Sequence, residues 1–274
     1  MEKLSDLKNF SDKLPSREEK TPLLFVGHGS PMNAIEENEF NRQWQKLGSE
    51  IRKPSAILCI SAHWETNGTF VTAMDRPRTI HDFYGFPNEL FKVEYPAPGS
   101  ASLALETKQT INKTDVELDN EWGLDHGTWS VLKHFYPEAD VPIVQLSIDH
   151  NKPLQWHYEL AKEISSLRNK GVLILGSGNI VHNLRLLDWH NPDSGYDWAN
   201  MISVKFKTLI SRDNHPELIN YTLLGKEAQY AIPTPEHFIP LLYILGLKEK
   251  NESINFFNDK IVMGSLSMTS LLIN

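Results

Sequence analysis

Three histidines follow short apolar runs, and each lies in a loop that contains glycine or serine. The runs and the histidines after them are 23–26 with His28, 56–60 with His63, and 172–175 with His182. Neutral imidazole binds zinc, iron, copper or nickel. If the runs are parallel strands of one sheet, their carboxyl ends meet at the edge where open α/β sheets bind ligands. The repeated placement therefore favours one shared metal site over three separate loop histidines that cap strands.

A fourth histidine, His237, stands beside Glu236 at the start of a predicted helix. Thr234 is the expected N-cap of this helix and Pro235 its first residue. A carboxylate is favourable near the positive end of a helix, so Glu236 has a structural explanation there. The functional alternative makes His237 a further metal ligand, with Glu236 as a carboxylate close to the ion. The residues by themselves leave both interpretations open.

The cysteine and histidine spacing excludes the common structural zinc sites. The chain contains no HExxH motif, and its single cysteine, Cys59, excludes a Cys-rich finger. A site assembled from scattered strand-end loops is typical of a catalytic metal, which keeps one position open for water or substrate. Other histidines lie in polar or helical surroundings and are predicted to be surface residues: His134, His150, His157, His190 and His215.

Composition and charge argue against nucleic acids and membranes as partners. The 274 residues carry 27 basic and 35 acidic side chains, a net charge of −8. An acidic chain repels phosphate backbones and anionic lipid surfaces. No stretch reaches the roughly 18 apolar residues of a membrane span. Nothing in the composition favours a monomer over a dimer.

The N-terminal segment and the cysteine usage predict a cytoplasmic protein. Residues 1–20 are polar and contain no apolar region of the kind that a secretory signal requires. Cys59 has no partner for an intramolecular disulfide, which is compatible with a reducing compartment. Because Cys59 lies in the apolar run 56–60, we expect it to be a small core residue.

Strand-like and helix-like segments alternate along the chain, which predicts an α/β fold. The expected strands are 23–26, 56–60, 69–74, 141–148 and 172–175, with a pair of edge strands in 260–273. The expected helices are 33–47, 100–111, 128–135, 154–168, 198–212 and 234–245. The central sheet should be largely parallel and flanked by helices. No linker or internal repeat divides the chain, so residues 21–274 are predicted to form one catalytic domain after the polar extension 1–20.

Two loops have compositions typical of functional segments. Residues 75–99 contain four prolines and two glycines. A loop of this length inside a compact domain usually covers or lines a site. Residues 120–127 end in Gly-Leu-Asp-His-Gly, which places His126 just before the helix predicted at 128–135.

Six sequence blocks carry a family resemblance. They are GHGSPMNAIEENEFNRQW (27–44), SAHWETNG (61–68), TIHDFYGFPNELFKVEYPAPG (79–99), WGLDHGTWSVLKHFYPEADVPIVQLSID (122–149), GSGNIVHNLR (176–185) and PTPEHFIPLLY (233–243). These blocks resemble extradiol aromatic-ring-opening dioxygenases of the DOPA-dioxygenase type, a group similar to the catalytic subunit of protocatechuate 4,5-dioxygenase. The resemblance extends from about Pro22 to the C-terminus, so it implies that 21–274 is an extradiol dioxygenase-like catalytic domain.

The resemblance implies a set of metal ligands and catalytic residues. The metal would be held by His28, His63 and His237. His182 would be either a fourth ligand or the acid/base residue. His126, in the Gly-Leu-Asp-His-Gly loop, would reach the substrate and is the other candidate for acid/base catalysis.

The resemblance also implies a role for the long loop. His81, Asp82 and Phe83 would cover the pocket and bind the substrate. The aromatic side chains of Phe83, Tyr84 and Phe86 could stack on a catechol ring, with ordinary loop packing as the alternative.

The implied activity is extradiol cleavage of a catechol such as L-DOPA by O₂, beside the two hydroxyls rather than between them. Fe(II) is the metal expected for this reaction, and such sites commonly use two histidines and one carboxylate. A histidine-only site suits Zn²⁺ equally, so we expect zinc in the isolated protein. The alternatives are a zinc hydrolase on a related α/β scaffold and a non-catalytic metal-binding protein. The covering loop and His126 favour the dioxygenase, because a metal store needs neither.

Overall fold

The strands are short and mostly buried, and the computed structural model gives their bounds for residues 20–274, the part of the chain that it describes. They are β1 (Leu23–Gly27), β2 (Ala56–Ser61), β3 (Glu65–Thr66), β4 (Thr69–Thr72), β5 (Arg78–Thr79), β6 (Val116–Asp119), β7 (Gly123–Leu124), β8 (Ile143–Gln145), β9 (Ile148–Asp149), β10 (Val172–Gly178), β11 (Ile254–Phe257), β12 (Ile261–Val262), β13 (Leu266–Ser267) and β14 (Ser270–Ile273). The α-helices are α1 (Glu39–Glu50), α2 (Ala101–Thr110), α3 (His126–Phe135), α4 (Leu154–Glu163), α5 (Asp197–Ser211), α6 (His215–Ile219), α7 (Lys226–Ala231) and α8 (Ile239–Leu247). Short 3₁₀ segments lie at Pro31–Ala34, Leu90–Lys92, Ile164–Lys170, Leu184–Leu186 and Tyr221–Leu224.

Six strands form the central sheet, in the order β11-β14-β1-β10-β2-β8. Strands β1, β10, β2 and β8 run parallel, while β14 and β11 run antiparallel at one side. Parallel neighbours need crossover connections, and the helices provide most of these. The sheet confirms the prediction of a single-domain α/β fold with a largely parallel centre flanked by helices.

Separate hydrophobic cores cover the two faces of the sheet. Successive residues of a strand point to opposite faces, so Leu58 and Ile60 pack into one core and Ile57 and Cys59 into the other. Helices α4, α5 and α8 contribute to the first core, and α1 and α3 to the second. Cys59 is fully buried, with its Sγ 3.3 Å from Thr128 Oγ1, so the prediction of a core cysteine is confirmed.

Helix α3 begins two residues earlier than the predicted range of 128–135. The reason is a cap: the side chain of Asp125 accepts a hydrogen bond from the backbone nitrogen of Thr128. Asx side chains at this position satisfy an amide that the first helical turn leaves unpaired. His126 therefore lies in the first turn of α3 and not in the loop before it.

Helix α8 begins later than predicted, at Ile239 rather than near Thr234. Thr234 does not cap the helix, because its hydroxyl donates to Glu236 Oε1 at 3.0 Å. Glu236 and His237 consequently lie in a turn before α8. The interpretation of Glu236 as a helix-start carboxylate is therefore wrong.

Strand β10 is longer than the predicted run 172–175, because its last residues pair with the end of β1 up to Gly178. The predicted strand 141–148 divides into β8 and β9. The predicted edge strands in 260–273 are the β12–β13 hairpin and β14, and β14 lies inside the sheet between β1 and β11. The edge position predicted for this segment is therefore wrong. The helix predicted at 33–47 begins at Glu39, after a cap by Asn38.

Most of the polar extension predicted at 1–20 lies outside the described residues, which begin at Lys20. The Lys20 ammonium pairs with the carboxylate of Glu249. Within the described residues, none of the helices combines the length and the apolar character needed to cross a bilayer.

Gly178 lies where any side chain would meet the backbone. A Cβ at this position would stand 2.2 Å from the carbonyl oxygen of His237, so the end of β10 and the turn before α8 would have to separate. We expect Gly178→Ala to lower the free energy of unfolding by about 1–3 kcal/mol, the usual cost of forced overpacking. Urea denaturation measures this loss.

Gly48→Ala is the matched control. A Cβ at Gly48 would stand 2.3 Å from the carbonyl oxygen of Phe135, in the packing of α1 against α3. Both variants should lose stability, but only Gly178→Ala should also weaken the binding of a divalent metal. An unchanged metal affinity in folded Gly178→Ala would show that β10 does not set the position of His237.

Candidate metal centre and active site

Hydrogen bonds at the carboxyl end of β10 bring His28 and His63 together. Strands β1 and β2 flank β10 in parallel. The backbone nitrogen of His28 donates to Gly178 O at 3.1 Å, and that of Ala62 donates to Ser177 O at 3.0 Å. Strands β1 and β2 therefore end at the same height along β10, and the Nε2 atoms of His28 and His63 lie 3.1 Å apart. Two nitrogens that each lie about 2 Å from one ion have a spacing of about this size.

The ring of His237 approaches those of His28 and His63 from the turn before α8. The backbone nitrogen of Asn179 donates to His237 O at 2.9 Å. The ring centroid of His237 is 5.3 Å from that of His28 and 5.0 Å from that of His63. The His182 ring stacks on His237, with centroids 3.5 Å apart and planes inclined by 8°. These four histidines form one cluster.

Three histidines of the cluster have an oxygen atom beside Nδ1. The pairs are His28 with Ser177 Oγ at 3.0 Å, His63 with Asp82 Oδ2 at 3.4 Å, and His237 with Glu236 Oε1 at 3.0 Å. A partner of this kind holds the proton on Nδ1 and leaves the Nε2 lone pair for a metal. The Nε2 atom of His237 is buried and has no hydrogen-bond partner among the described residues. This donor set fits a divalent metal ion.

His126 is a fifth member of the cluster. Its ring centroid lies 3.8 Å from that of His63, and its Nδ1 lies 3.0 Å from Asp82 Oδ2. The backbone nitrogen of His126 also donates to Asp82 Oδ1 at 2.9 Å. Asp82 therefore joins the long loop to both histidines. Two groups of described residues have ligand atoms within 4.8 Å of one another: His28, His63 and His126, and His182, Glu236 and His237.

Burial favours the neutral form of the clustered imidazoles. It is the largest cause that lowers the pKa of His28, His63 and His237 well below the ordinary value, and neighbouring histidines act in the same direction. Burial also lowers the pKa of His182 to about 4. A histidine must be neutral to bind a metal or to accept a proton. The rings of His28, His63, His182 and His237 are therefore prepared for either role at neutral pH.

A buried carboxyl group, Asp125, supports the cluster. Its Oδ1 accepts a hydrogen bond from Ser61 Oγ at 2.7 Å, and its Oδ2 accepts one from Gln145 Nε2 at 2.6 Å. Ser61 Oγ also accepts a hydrogen bond from the backbone nitrogen of His63 at 3.3 Å. Burial, followed by the charge of Asp82, raises the pKa of Asp125. This network joins the end of β2 to the start of α3.

A cavity of about 640 Å³ opens at the cluster, and all five histidines line it. The other side chains of the lining are mainly apolar and come largely from the long loop and from residues 184–189. They include Phe83, Tyr84, Phe86, Leu184, Leu187 and Trp189. An apolar cavity with a few convergent polar groups is typical of a small-molecule site.

Comparison with known proteins assigns the chain to a family. Residues 22–270 match the family described as the catalytic LigB subunit of aromatic ring-opening dioxygenase. The chain belongs to this family. It is 48% identical over 259 residues to 4,5-DOPA dioxygenase extradiol of Escherichia coli strain K12, covering 93% of this chain and 95% of that relative. It is 34% identical over 262 residues to the Beta vulgaris protein of the same name, covering 90% and 94%.

A solved structure agrees with the family assignment. An uncharacterized protein from Escherichia coli K12 has a TM-score of 0.81 and 43% identity, covering 93% of this chain and 100% of that one. The protein is therefore an extradiol dioxygenase, as predicted from its motifs. The comparisons do not support the zinc hydrolase or the non-catalytic metal-binding protein.

Of the three loop residues predicted to bind the substrate, two line the cavity of the dioxygenase and one does not. Asp82 and Phe83 line the cavity. His81 is outside the lining, because its ring is directed to a later part of the same loop, with Nε2 3.0 Å from Val93 O. The substrate-binding role of His81 stays a prediction, and its hydrogen bond to Val93 O shows that it holds the loop.

Two of the histidines predicted to lie on the surface are buried in the dioxygenase. The Nδ1 of His157 is 3.1 Å from the hydroxyl of Tyr243, and that of His215 is 2.9 Å from the hydroxyl of Tyr158. Tertiary packing of α4 against neighbouring helices supplies these partners, which helical spacing alone does not reveal. His134 is half-buried, and the surface prediction holds for His150 and His190.

Sequence reasoning missed Ser177 and Asp125. The predicted strand 172–175 ends before Ser177, whereas the structure places Ser177 within β10, and its position just after an apolar run is a signal for a strand-end residue. Asp125 directly precedes His126 and stands three residues before Thr128, a spacing typical of an N-cap. That spacing would have placed His126 at a helix start.

Two substitutions distinguish the possible ligand groups. If His237 binds the metal with His28 and His63, His237→Ala should weaken metal affinity by at least about tenfold, since changes around a metal site commonly cost that much. His126→Ala should retain the metal. Calorimetric titration of the metal-free protein with Zn²⁺ measures both affinities, and circular dichroism checks the fold. The reverse result would make His126 the third ligand.

Proposed function

We propose that this dioxygenase opens the ring of a catechol such as L-DOPA with O₂ at an Fe(II) ion, beside the two hydroxyls. The observation that carries the proposal is a set of four imidazoles whose pKa is lowered by burial, His28, His63, His182 and His237, in the wall of a cavity with aromatic side chains. Three of these four rings have an oxygen beside Nδ1. The names of the relatives from Escherichia coli and Beta vulgaris support a DOPA-like substrate.

The proposed ligands are the Nε2 atoms of His28, His63 and His237. Each of these rings has an oxygen partner at Nδ1, whereas the described residues provide no hydrogen bond to the ring of His182. An Fe(II) ion held by these residues would supply the redox chemistry of ring opening and would leave open positions for a catechol and O₂. Ser177 and Glu236 keep two of the three rings in the tautomer that this role requires.

His182 is the proposed base that removes a proton from a catechol hydroxyl. It lines the cavity and stacks on the proposed ligand His237. With a pKa lowered by burial to about 4, its ring is neutral and free to accept a proton at neutral pH. His126, whose ring lies beside that of His63 in the cavity wall, is the alternative base; if it is not the base, we propose that it hydrogen bonds to the substrate.

Asp82 is proposed to orient His63 and His126, and Phe83 to contact the ring of the substrate. Burial by itself would raise the pKa of Asp82, but the hydrogen bond and charge of His126 and the charge of His63 lower it. The carboxylate lies 3.4 Å from His63 Nδ1 and 3.0 Å from His126 Nδ1, which favours a proton on each of these nitrogens. The aromatic side chains of the same loop exclude water from the cavity and offer faces on which a catechol can stack.

A site made of histidines suits Zn²⁺ as well as Fe(II), and Zn²⁺ does not change its oxidation state. Glu236 lies at the cluster, but its Oε1 is 3.0 Å from His237 Nδ1, which favours an orienting role over direct ligation. We therefore expect zinc in the isolated protein and activity only after iron is restored.

The proposal requires a small-molecule catechol and O₂ as partners, and neither nucleic acid nor a membrane. The net charge of −8 agrees with the absence of a nucleic-acid partner. A cytoplasmic location stays a prediction, supported by the single, buried cysteine.

Oxygen consumption tests the proposed function. Protein purified without oxygen and reconstituted with Fe(II) is given L-DOPA and a panel of catechols, with a Zn²⁺-loaded sample beside it. We expect oxygen uptake and a new visible absorbance only in the iron sample. No uptake with any catechol would contradict the proposal.

His182→Ala tests the proposed base. The variant should keep its iron content and lose about 10²- to 10⁴-fold in kcat, the usual contribution of a general base. His190→Ala, which changes an exposed histidine of the following loop, is the control, and its iron content and kcat should equal those of the parent enzyme. If His182→Ala retains its rate while His126→Ala loses it, His126 is the base.

A further inference from the structure

The cavity at the histidine cluster has an unusual charge distribution. Its lining contains two carboxylates, Asp82 and Glu36, and neither lysine nor arginine among the described residues. Asp82 is held between two histidine rings, so its charge is already paired inside the site. A substrate with a carboxylate on its side chain would therefore meet no fixed positive charge from a lysine or arginine in this lining.

Glu36 is the carboxylate that is free to meet a substrate. It follows the 3₁₀ segment Pro31–Ala34, and its backbone nitrogen donates to Met32 O at 2.9 Å. This bond attaches Glu36 to a segment that carries two other lining residues, Pro31 and Met32. The side chain is exposed, and no ion pair joins it to a cation of the described residues. The neighbouring Glu37 differs, because it pairs with Arg42 at 3.3 Å and lies outside the lining.

Aromatic side chains of the same lining add a second feature that suits a cation. Tyr84 is 91% exposed and Trp189 is 73% exposed, although both line the cavity, so they stand at its mouth. Exposed aromatic faces attract ammonium groups through cation–π interactions. A carboxylate and aromatic faces, with neither lysine nor arginine in the described part of the lining, are the chemistry that recognises an ammonium group.

We propose that the cavity selects catechols whose side chain carries an ammonium group, with Glu36 as the specificity-determining residue. A catechol with only a carboxylate on its side chain is disfavoured, and in a zwitterionic side chain the ammonium group makes the productive contact. The inference rests on the proposed function of this cavity, and it adds the class of substrate that the cavity prefers.

Three catechols with substituents at the same ring position provide the test. Dopamine carries an ammonium group, 4-methylcatechol is neutral, and caffeate carries a carboxylate. The iron-reconstituted enzyme should have the highest kcat/KM with dopamine and the lowest with caffeate. Raising the salt concentration should reduce this preference, because salt screens exposed charges.

Substitution of Glu36 isolates its contribution. Glu36→Gln should reduce the ratio of kcat/KM for dopamine to that for caffeate by about fivefold, and the value for 4-methylcatechol should not change. Glu36→Lys should invert the preference. Glu37→Gln removes one charge from the adjacent position outside the cavity and is the matched control. Attraction between the metal and an anionic side chain is common to all variants, so it cancels when ratios are compared.

The outcomes separate the two proposals. If 4-methylcatechol is cleaved but the dopamine-to-caffeate ratio is the same in the parent enzyme and in Glu36→Gln, the selectivity proposal is wrong and the proposed function stands. If no catechol is cleaved, the proposed function fails, and anaerobic calorimetric binding of dopamine and caffeate still decides the selectivity. Equal affinities, or a preference for caffeate, would overturn it.

Discussion

The site depends on the backbone hydrogen bonds at the carboxyl end of β10. His28 N donates to Gly178 O, and Asn179 N donates to His237 O, so one short stretch of strand holds two proposed ligands. The parallel register with β2 brings His63 to the same level. Gly178 has no side chain because the backbone at His237 lies against it. Sheet register is strongly specified in a sheet buried on both faces, which makes it a rigid base for metal ligands.

A cluster of buried imidazoles lowers the stability of the fold, and the surrounding residues reduce this loss. Charged rings so close together would repel one another, and burial keeps them neutral. An oxygen atom lies beside Nδ1 in four of the five rings, whereas the buried Nε2 of His237 has no hydrogen-bond partner among the described residues. An unsatisfied buried acceptor is destabilising by itself, and a bound ion relieves it. Metal binding should therefore contribute to the stability of the fold as well as to its chemistry.

Much of the fold was predictable because the spacing of apolar residues and the glycines and prolines that end a segment are local features of the sequence. Apolar runs closed by glycine marked β1, β2 and β10, and their alternation with helices predicted the parallel sheet. Helix boundaries were less predictable where a polar side chain could either cap the helix or hydrogen bond to another residue. Thr234 bonds to Glu236 and leaves α8 to begin at Ile239, and Asp125 starts α3 before the expected residue. The inner position of β14 was not predictable because one of its two antiparallel partners, β1, is far away in the sequence.

The sequence by itself determined the fold class, the family and the histidines that follow strand ends, because residue types and local spacing carry that information. Tertiary structure decided which histidines share the cluster, which oxygen atom stands beside each Nδ1, and that His157 is buried rather than exposed. It also decided that His81 bonds to Val93 O and stays outside the cavity. These facts depend on contacts between segments that are far apart along the chain. Only the packed sheet and its loops bring those segments together, and no local pattern specifies the distances between them.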